Sequence, residues 1–117
     1  MIYITPVYDI SSFIKNIQHE DLSHYNIKDI PYEACIGNGA KLPLSLEYIN
    51  SYGIYASYSN TTITYDGSMS SWRKILKQRT WCKFDNSYTT LTVICTDGDI
   101  KYKEVVKSGI YSIQEVS

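Results

Sequence analysis

The sequence from residue 88 to residue 106 reads YTTLTVICTDGDIKYKEVV and carries the clearest hairpin signal in the chain. Two runs rich in β-branched and aromatic residues, Tyr88–Thr96 and Ile100–Val106, flank the tight turn at residues 97–99. A second turn, Ser108-Gly109, leads into a last run of the same kind, Ile110–Val116. The pattern predicts a three-stranded antiparallel meander in the C-terminal third.

Apolar residues at helical spacing occur in three places upstream of this meander. They predict helices over residues 10–19, over residues 43–52, and from about Ser71 to Arg79. Strands and turns with three interspersed helices are typical of the α+β class. We therefore expect a single α+β domain over residues 1–117. Its sheet is expected to be mainly antiparallel, with about three short helices on one face.

Tyrosine is unusually frequent, with 12 residues, and it clusters in the middle of the chain. Short strands are expected at residues 2–4 and 32–36, and the runs Ile54–Tyr58 and Thr61–Tyr65 predict a hairpin. Outward tyrosines on such a hairpin would suit a binding surface, because they offer large contact area at small entropic cost. Alternatively, they form a sheet face covered by a helix. The tyrosines concerned are Tyr52, Tyr55, Tyr58 and Tyr65. We find no internal repeat.

Composition places the chain among ordinary globular proteins, with 44% hydrophobic and 20% charged residues. Cys35, Cys82 and Cys95 are widely spaced, which predicts reduced thiols rather than a disulfide framework or a zinc site. No secretory leader is recognisable at the N-terminus, and no apolar run approaches the ~20 residues that span a bilayer. We expect a cytoplasmic protein, of a cell or of an infected host, with no membrane contact.

Positive charge is concentrated in residues 72–84, which hold five cations and no acidic residue in a chain of net charge −1. On a helix, Arg73, Lys74 and Lys77 would lie opposite Trp72 and the apolar residues of the same turn. This basic helix would suit an anion, since arginine grips phosphate with two hydrogen bonds. The alternative is a solvated amphipathic helix with its tryptophans in the core.

The chain as a whole is not basic, with an isoelectric point of about 6.1. Proteins that bind extended nucleic acid usually present a strongly basic domain. The acidic remainder of this chain would oppose the approach of long DNA or RNA. A compact phosphate-bearing ligand or an acidic protein surface fits better.

Signals for catalysis and for metal binding are weak. His19 and His24 are five residues apart, so a helix would not place them on one face as metal ligands. Cys35 has no histidine placed beside it by the sequence, as a cysteine nucleophile requires. The loop at residues 37–41 lacks the spacing of a phosphate-binding loop. We therefore expect a protein that is not an enzyme and that has no cofactor.

Two functions remain. The first is a non-enzymatic interaction protein, such as a phage- or virus-encoded inhibitor, that binds a host factor through the basic helix and the tyrosine-rich hairpin. The second is a binder of a nucleotide, cyclic nucleotide or short nucleic acid, with Trp81 stacked on a base. The oligomeric state is left open. The candidate binding residues are Arg73, Lys74, Lys77, Arg79, Trp81, Tyr55 and Tyr58.

Overall fold

The computed structural model describes residues 16–57 and 59–116, which form ten strands and one short helix. The helix α1 spans Met69–Lys74. The strands are β1 (Asp29–Ile30), β2 (Lys41–Leu42), β3 (Tyr48–Ile49), β4 (Ile54–Ala56), β5 (Asn60–Tyr65), β6 (Leu76–Lys77), β7 (Cys82–Phe84), β8 (Thr90–Cys95), β9 (Gly98–Lys107) and β10 (Ile110–Val116).

Strands β1 to β8 wind as a three-sided parallel coil. On the first side β2, β5 and β8 pair in parallel; on the second, β1, β3 and β6; on the third, β4 and β7. Each turn of the chain visits the sides in this order. Isolated parallel bridges, Asp21 to Lys41 and Ile36 to Ile54, bring residues 21–36 into the same arrangement as a first turn. The mostly β chain is thus a short solenoid.

Short strands suit this architecture because each one turns only one or two side chains inward. Ile30 stacks on Ile49 in register on the second side, and both are almost fully buried. At the corner that follows, the N–H of Glu33 donates to the carbonyl of Ser51, and the N–H of Tyr52 donates to the carbonyl of Thr80. Glu33 and Tyr52 have positive φ. The hydrogen bonds to the next turn of the coil hold them in that conformation.

The predicted C-terminal meander is confirmed. Strand β9 pairs antiparallel with β8 on one side and with β10 on the other. Ser108 and Gly109 both have positive φ, as a two-residue type I′ turn requires. Tyr102 of β9 points inward and contacts Trp81, so the meander covers one end of the coil's core.

The α+β prediction is wrong. Residues 43–52 contain strand β3 and two turns instead of a helix, and the third predicted helix ends at Lys74. Residues 10–15 lie outside the described part of the chain, and residues 16–19 are not helical. Leu42, Leu46 and Ile49 are all buried. These residues are three to four positions apart, as on one face of a helix. In the structure the same spacing instead places them inward on successive sides of the coil.

The prediction of a hairpin in the middle of the chain is also wrong. Strand β4 pairs with β7, and β5 pairs with β2 and β8, all in parallel. The predicted strand at residues 32–36 is reduced to one bridge at Ile36, and that at residues 2–4 lies outside the described residues. The coil leaves no repeat in the sequence because its turns differ in length. Ile30 pairs with Ile49, 19 residues on, whereas Ile49 pairs with Lys77, 28 residues on.

Candidate functional site

A buried aromatic cluster connects α1, the residue before β7, and β9. The ring centroids of Trp72 and Trp81 are 6.0 Å apart, and those of Trp81 and Tyr102 are 5.0 Å apart, both in edge-to-face geometry. The indole N–H of Trp72 donates to the hydroxyl of Tyr102 at 2.9 Å. Trp81 retains only 5% of its exposure. Its ring therefore has no free face on which a base could stack.

Helix α1 is short because both of its ends are capped locally. The side chain of Ser68 accepts a hydrogen bond from the N–H of Ser71 at 3.0 Å and so caps the first turn. The next residue after the helix, Ile75, is extended and buried, and Leu76 begins the strand that pairs with β3. The chain after Lys74 thus pairs on the second side of the coil. Charged residues beyond Lys74 are therefore not on the helix.

Lys77 is a capping group rather than a surface cation. Its Nζ donates to the carbonyl of Trp72 at 2.8 Å and to that of Ile75 at 3.0 Å. The same ammonium lies 4.9 Å from the Trp72 ring centroid and 5.9 Å from that of Trp81. Burial lowers the pKa of Lys77 to about 8. The half-buried side chain therefore satisfies carbonyls at the helix end.

Arg73 is engaged with Glu115 of β10. Its Nη2 and Nε donate to the two carboxylate oxygens at 2.8 and 3.1 Å, which is the bidentate geometry that would otherwise grip a phosphate. This pairing lowers the pKa of the Glu115 carboxyl and raises that of the Arg73 guanidinium. The contact fastens the meander to α1.

The remaining cations of the basic segment lie at separate places on the coil. Lys74 is exposed at the end of α1, Arg79 is exposed in the turn between the second and third sides, and Lys83 is exposed on β7. The structure therefore does not gather the predicted phosphate ligands into one face. The reason is that the chain from Leu76 onward is extended and turns corners where a continuous helix was expected.

The tyrosines predicted for the middle hairpin have different environments. Tyr65 is buried, with its ring centroid 5.3 Å from that of Trp72, so it belongs to the core. Tyr58 lies outside the described residues. Tyr52 is 38% exposed at a corner of the coil, and Tyr55 is half-buried on β4. Of the tyrosines predicted for this hairpin, Tyr52 and Tyr55 are the ones that the described part of the chain places with an accessible ring.

These two tyrosines share one cation, and Tyr55 also contacts a carboxylate. The Nζ of Lys83 lies 6.0 Å from the ring centroid of Tyr52 and 5.4 Å from that of Tyr55. The Tyr55 hydroxyl donates to Oδ1 of Asp85 at 3.1 Å, and this bond raises the pKa of Tyr55. Tyr32 is 61% exposed, and its pKa is raised mainly by a hydrogen bond with Glu33 and to a smaller extent by nearby Tyr52. We call the following five residues the tyrosine–lysine surface: Tyr32, Tyr52, Tyr55, Lys83 and Asp85.

Sequence reasoning missed Lys83 and Asp85 as parts of this surface. Lys83 lies on β7, and Asp85 directly follows that strand. Tyr55 lies on β4, 28 residues before its register partner Lys83. A parallel pairing at that separation leaves no local pattern in the sequence. The one available signal was the alternation of Cys82, Lys83 and Phe84, which places Lys83 outward on a strand.

Two of the three cysteines, Cys82 and Cys95, are buried. Burial raises the pKa of the thiols of Cys82 and Cys95, which disfavours the thiolate. Within residues 16–57 and 59–116, His, Cys, Asp and Glu side chains form no group of three or more that could hold a metal ion. Over the same residues, helices of the length and apolarity required to cross a membrane do not occur.

Comparison of this chain with protein-family models, with curated proteins and with solved structures finds no match. The contacts within the chain are therefore the basis for assigning it a function. Among those contacts, the tyrosine–lysine surface is the arrangement in which several exposed side chains of mixed chemistry hold one another in place.

Proposed function

We propose that this protein is a non-enzymatic interaction protein that binds a protein partner through the tyrosine–lysine surface. The observation that carries the proposal is the position of the Lys83 ammonium, within 6.0 Å of the ring centroids of Tyr52 and Tyr55. Tyrosine is enriched at the energetic centres of protein interfaces because its ring is large and its hydroxyl can pair. A cation among such rings adds directional attraction for a carboxylate of the partner.

The surface is held in shape before a partner arrives. Parallel pairing of β4 with β7 sets Tyr55 opposite Lys83, and the N–H of Asp85 donates to the carbonyl of Ala56 at 3.0 Å. The bond from the Tyr55 hydroxyl to Asp85 then fixes the ring. Side chains already ordered in the free protein lose less entropy on binding. A partner with apolar area for the rings and a carboxylate for Lys83 fits this chemistry.

The phosphate-ligand alternative has less support from the geometry. Arg73 is paired with Glu115, Lys77 caps α1, and Trp81 is buried. Arg73, Lys74 and Arg79 are the exposed residues among those predicted for that site, and the first of them is already paired. Ligand binding at 100 times the dissociation constant would stabilise the protein by about 2.7 kcal/mol, so thermal shifts with nucleotides and cyclic dinucleotides test this alternative directly.

The biological setting of the interaction is part of the proposal. Buried thiols at Cys82 and Cys95 suit a reducing compartment such as the cytosol. Inhibition of a host factor by a phage- or virus-encoded protein is one role that a small preformed binding surface serves.

Capture experiments with matched variants test the main proposal. Immobilised wild-type protein is used to capture partners from cell extract, and captured proteins are compared with those held by Tyr52→Ala and Lys83→Ala. Tyr25→Ala and Lys74→Ala are the controls, since each removes an exposed residue of the same type away from the surface. We expect the first pair to lose a partner that the second pair keeps, with all four melting temperatures close to wild type.

The reverse pattern would reject this surface. A partner lost with Lys74→Ala and kept with Lys83→Ala would place the interface on α1. A partner kept by all four variants would place it elsewhere on the protein.

A further inference from the structure

Strand β10 is the outermost strand of the five-stranded sheet, whose order is β10-β9-β8-β5-β2. It pairs with β9 over all seven residues without a break in register. Among the described residues, no strand pairs with its other edge. The strand contains no proline, lysine or arginine. Proteins usually protect an edge of this length with such residues or with a bulge, because its free N–H and C=O groups attract another strand.

The turn that connects β9 to β10 determines which backbone groups face that free edge. Lys107 and Ile110 close a two-residue turn, so this pair and every second pair after it exchange hydrogen bonds with each other. The residues between them direct their N–H and C=O groups away from β9. Those residues are Tyr111, Ile113 and Glu115.

We propose that a second copy of this chain binds this edge, β10 against β10 in antiparallel orientation, with the two-fold axis at Ile113. In this register Ile113 faces Ile113 of the second copy, and Tyr111 faces Glu115 in both directions. The three residues with outward backbone groups on one strand thus meet the same three on the other, and each facing pair exchanges two hydrogen bonds. The two sheets join into one continuous sheet.

Side-chain chemistry along β10 agrees with this pairing. Ile110, which is 65% exposed, faces Val116, and Ser112 faces the amide of Gln114. Glu115 faces a phenol rather than a second carboxylate, and its charge is already balanced by Arg73 in its own chain. With a net charge of −1, two copies of the chain repel each other weakly.

Registers shifted by two residues are less favourable. A shift in one direction brings Glu115 opposite Ile113 and leaves the outward groups of Tyr111 without a facing strand residue. A shift in the other direction leaves the outward N–H and C=O groups of Glu115 without a facing strand residue. Shifts by one residue are excluded, since a two-fold axis perpendicular to the sheet requires facing residues to point to the same side.

Light scattering coupled to size-exclusion chromatography, across the micromolar range, measures the mass of the wild-type protein and its charge variants. We expect wild type to reach twice the monomer mass of 13.4 kDa. The double variant S112E/Q114E places like charges opposite each other twice, at positions where facing side chains are closest. Its dissociation constant is expected to rise about 10-fold or more.

The matched control is S112K/Q114E. In both variants, glutamate at position 114 faces Lys103 of its own chain, so the two proteins differ only at position 112. Lysine there faces glutamate at position 114 of the second copy, and dimerisation is expected to return. In one shifted register this lysine would instead face the same lysine of the second copy. In the other it would face Val116, and the two glutamates at position 114 would face each other. The proposal would be overturned by a wild type that stays monomeric, by an S112E/Q114E dissociation constant equal to that of wild type, or by an S112K/Q114E dissociation constant as high as that of S112E/Q114E.

Discussion

The indole N–H of Trp72 donates to the hydroxyl of Tyr102 across 2.9 Å in the buried core. Trp72 lies on α1, inside the third turn of the coil, and Tyr102 lies on β9 of the meander. This bond therefore connects the parallel and the antiparallel parts of the fold. Both rings also pack against neighbouring aromatic side chains, so the polar contact is enclosed by apolar surface.

Tyr102→Phe should destabilise the protein by about 1–3 kcal/mol, because it leaves the buried N–H of Trp72 without its acceptor. The ring contact with Trp81 is retained, so the loss reports on the hydrogen bond. Urea unfolding measures the change. Tyr25→Phe, at a tyrosine that is 50% exposed, is the control and should change stability little. A loss below that of the control variant would mean that another group accepts from the indole.

The meander could be predicted from sequence because its signals are local. The turns Thr96-Asp97 and Ser108-Gly109 each lie between the strands that they connect, and antiparallel neighbours follow each other along the chain. The coil could not. Its parallel partners, such as Ile49 and Lys77, are far apart in sequence and belong to strands of two residues. Strands that short show neither alternation nor a turn signal.

The candidate site was misjudged for a related reason. Placing Lys77 beside Arg73 assumed 100° per residue over the whole basic segment, but the helix ends at Lys74. Beyond that residue the chain turns Lys77 inward to the carbonyls of Trp72 and Ile75. Exposure of Tyr52 and Tyr55 agrees with the expectation of outward tyrosines, although their neighbours come from β7 rather than from a hairpin.

Lys77 should make the stability of the protein depend on pH in the alkaline range. Its pKa is about 8 in the folded protein, against 10.5 for the free side chain. Between these values the unfolded chain holds the proton and the folded chain does not, so raising the pH favours folding. The negative charge of Glu115 raises the pKa of Lys77, whereas burial lowers it, and burial has the larger effect.

Comparison of wild type with Lys77→Met isolates this effect from other titrations. Burial raises the pKa of the Cys82 and Cys95 thiols and raises those of Tyr102 and Tyr111 to about 12, so these groups reduce stability at high pH equally in both proteins. Urea midpoints at pH 7 and pH 10 are measured for both. Relative to Lys77→Met, wild type should be more stable at pH 10 than it is at pH 7. A constant difference would show that Lys77 does not titrate as described.

The turn between β9 and β10 should respond to its two residues in opposite directions. Ser108 has φ of 54° and Gly109 has φ of 76°. Asparagine tolerates positive φ better than serine, so Ser108→Asn should stabilise the hairpin by about 0.5 kcal/mol. A Cβ on Gly109 meets no atom within 4 Å, so Gly109→Ala tests backbone strain alone and should cost about 1 kcal/mol. Thermal unfolding measures both changes. Equal melting temperatures for the two variants would contradict a type I′ turn at this position.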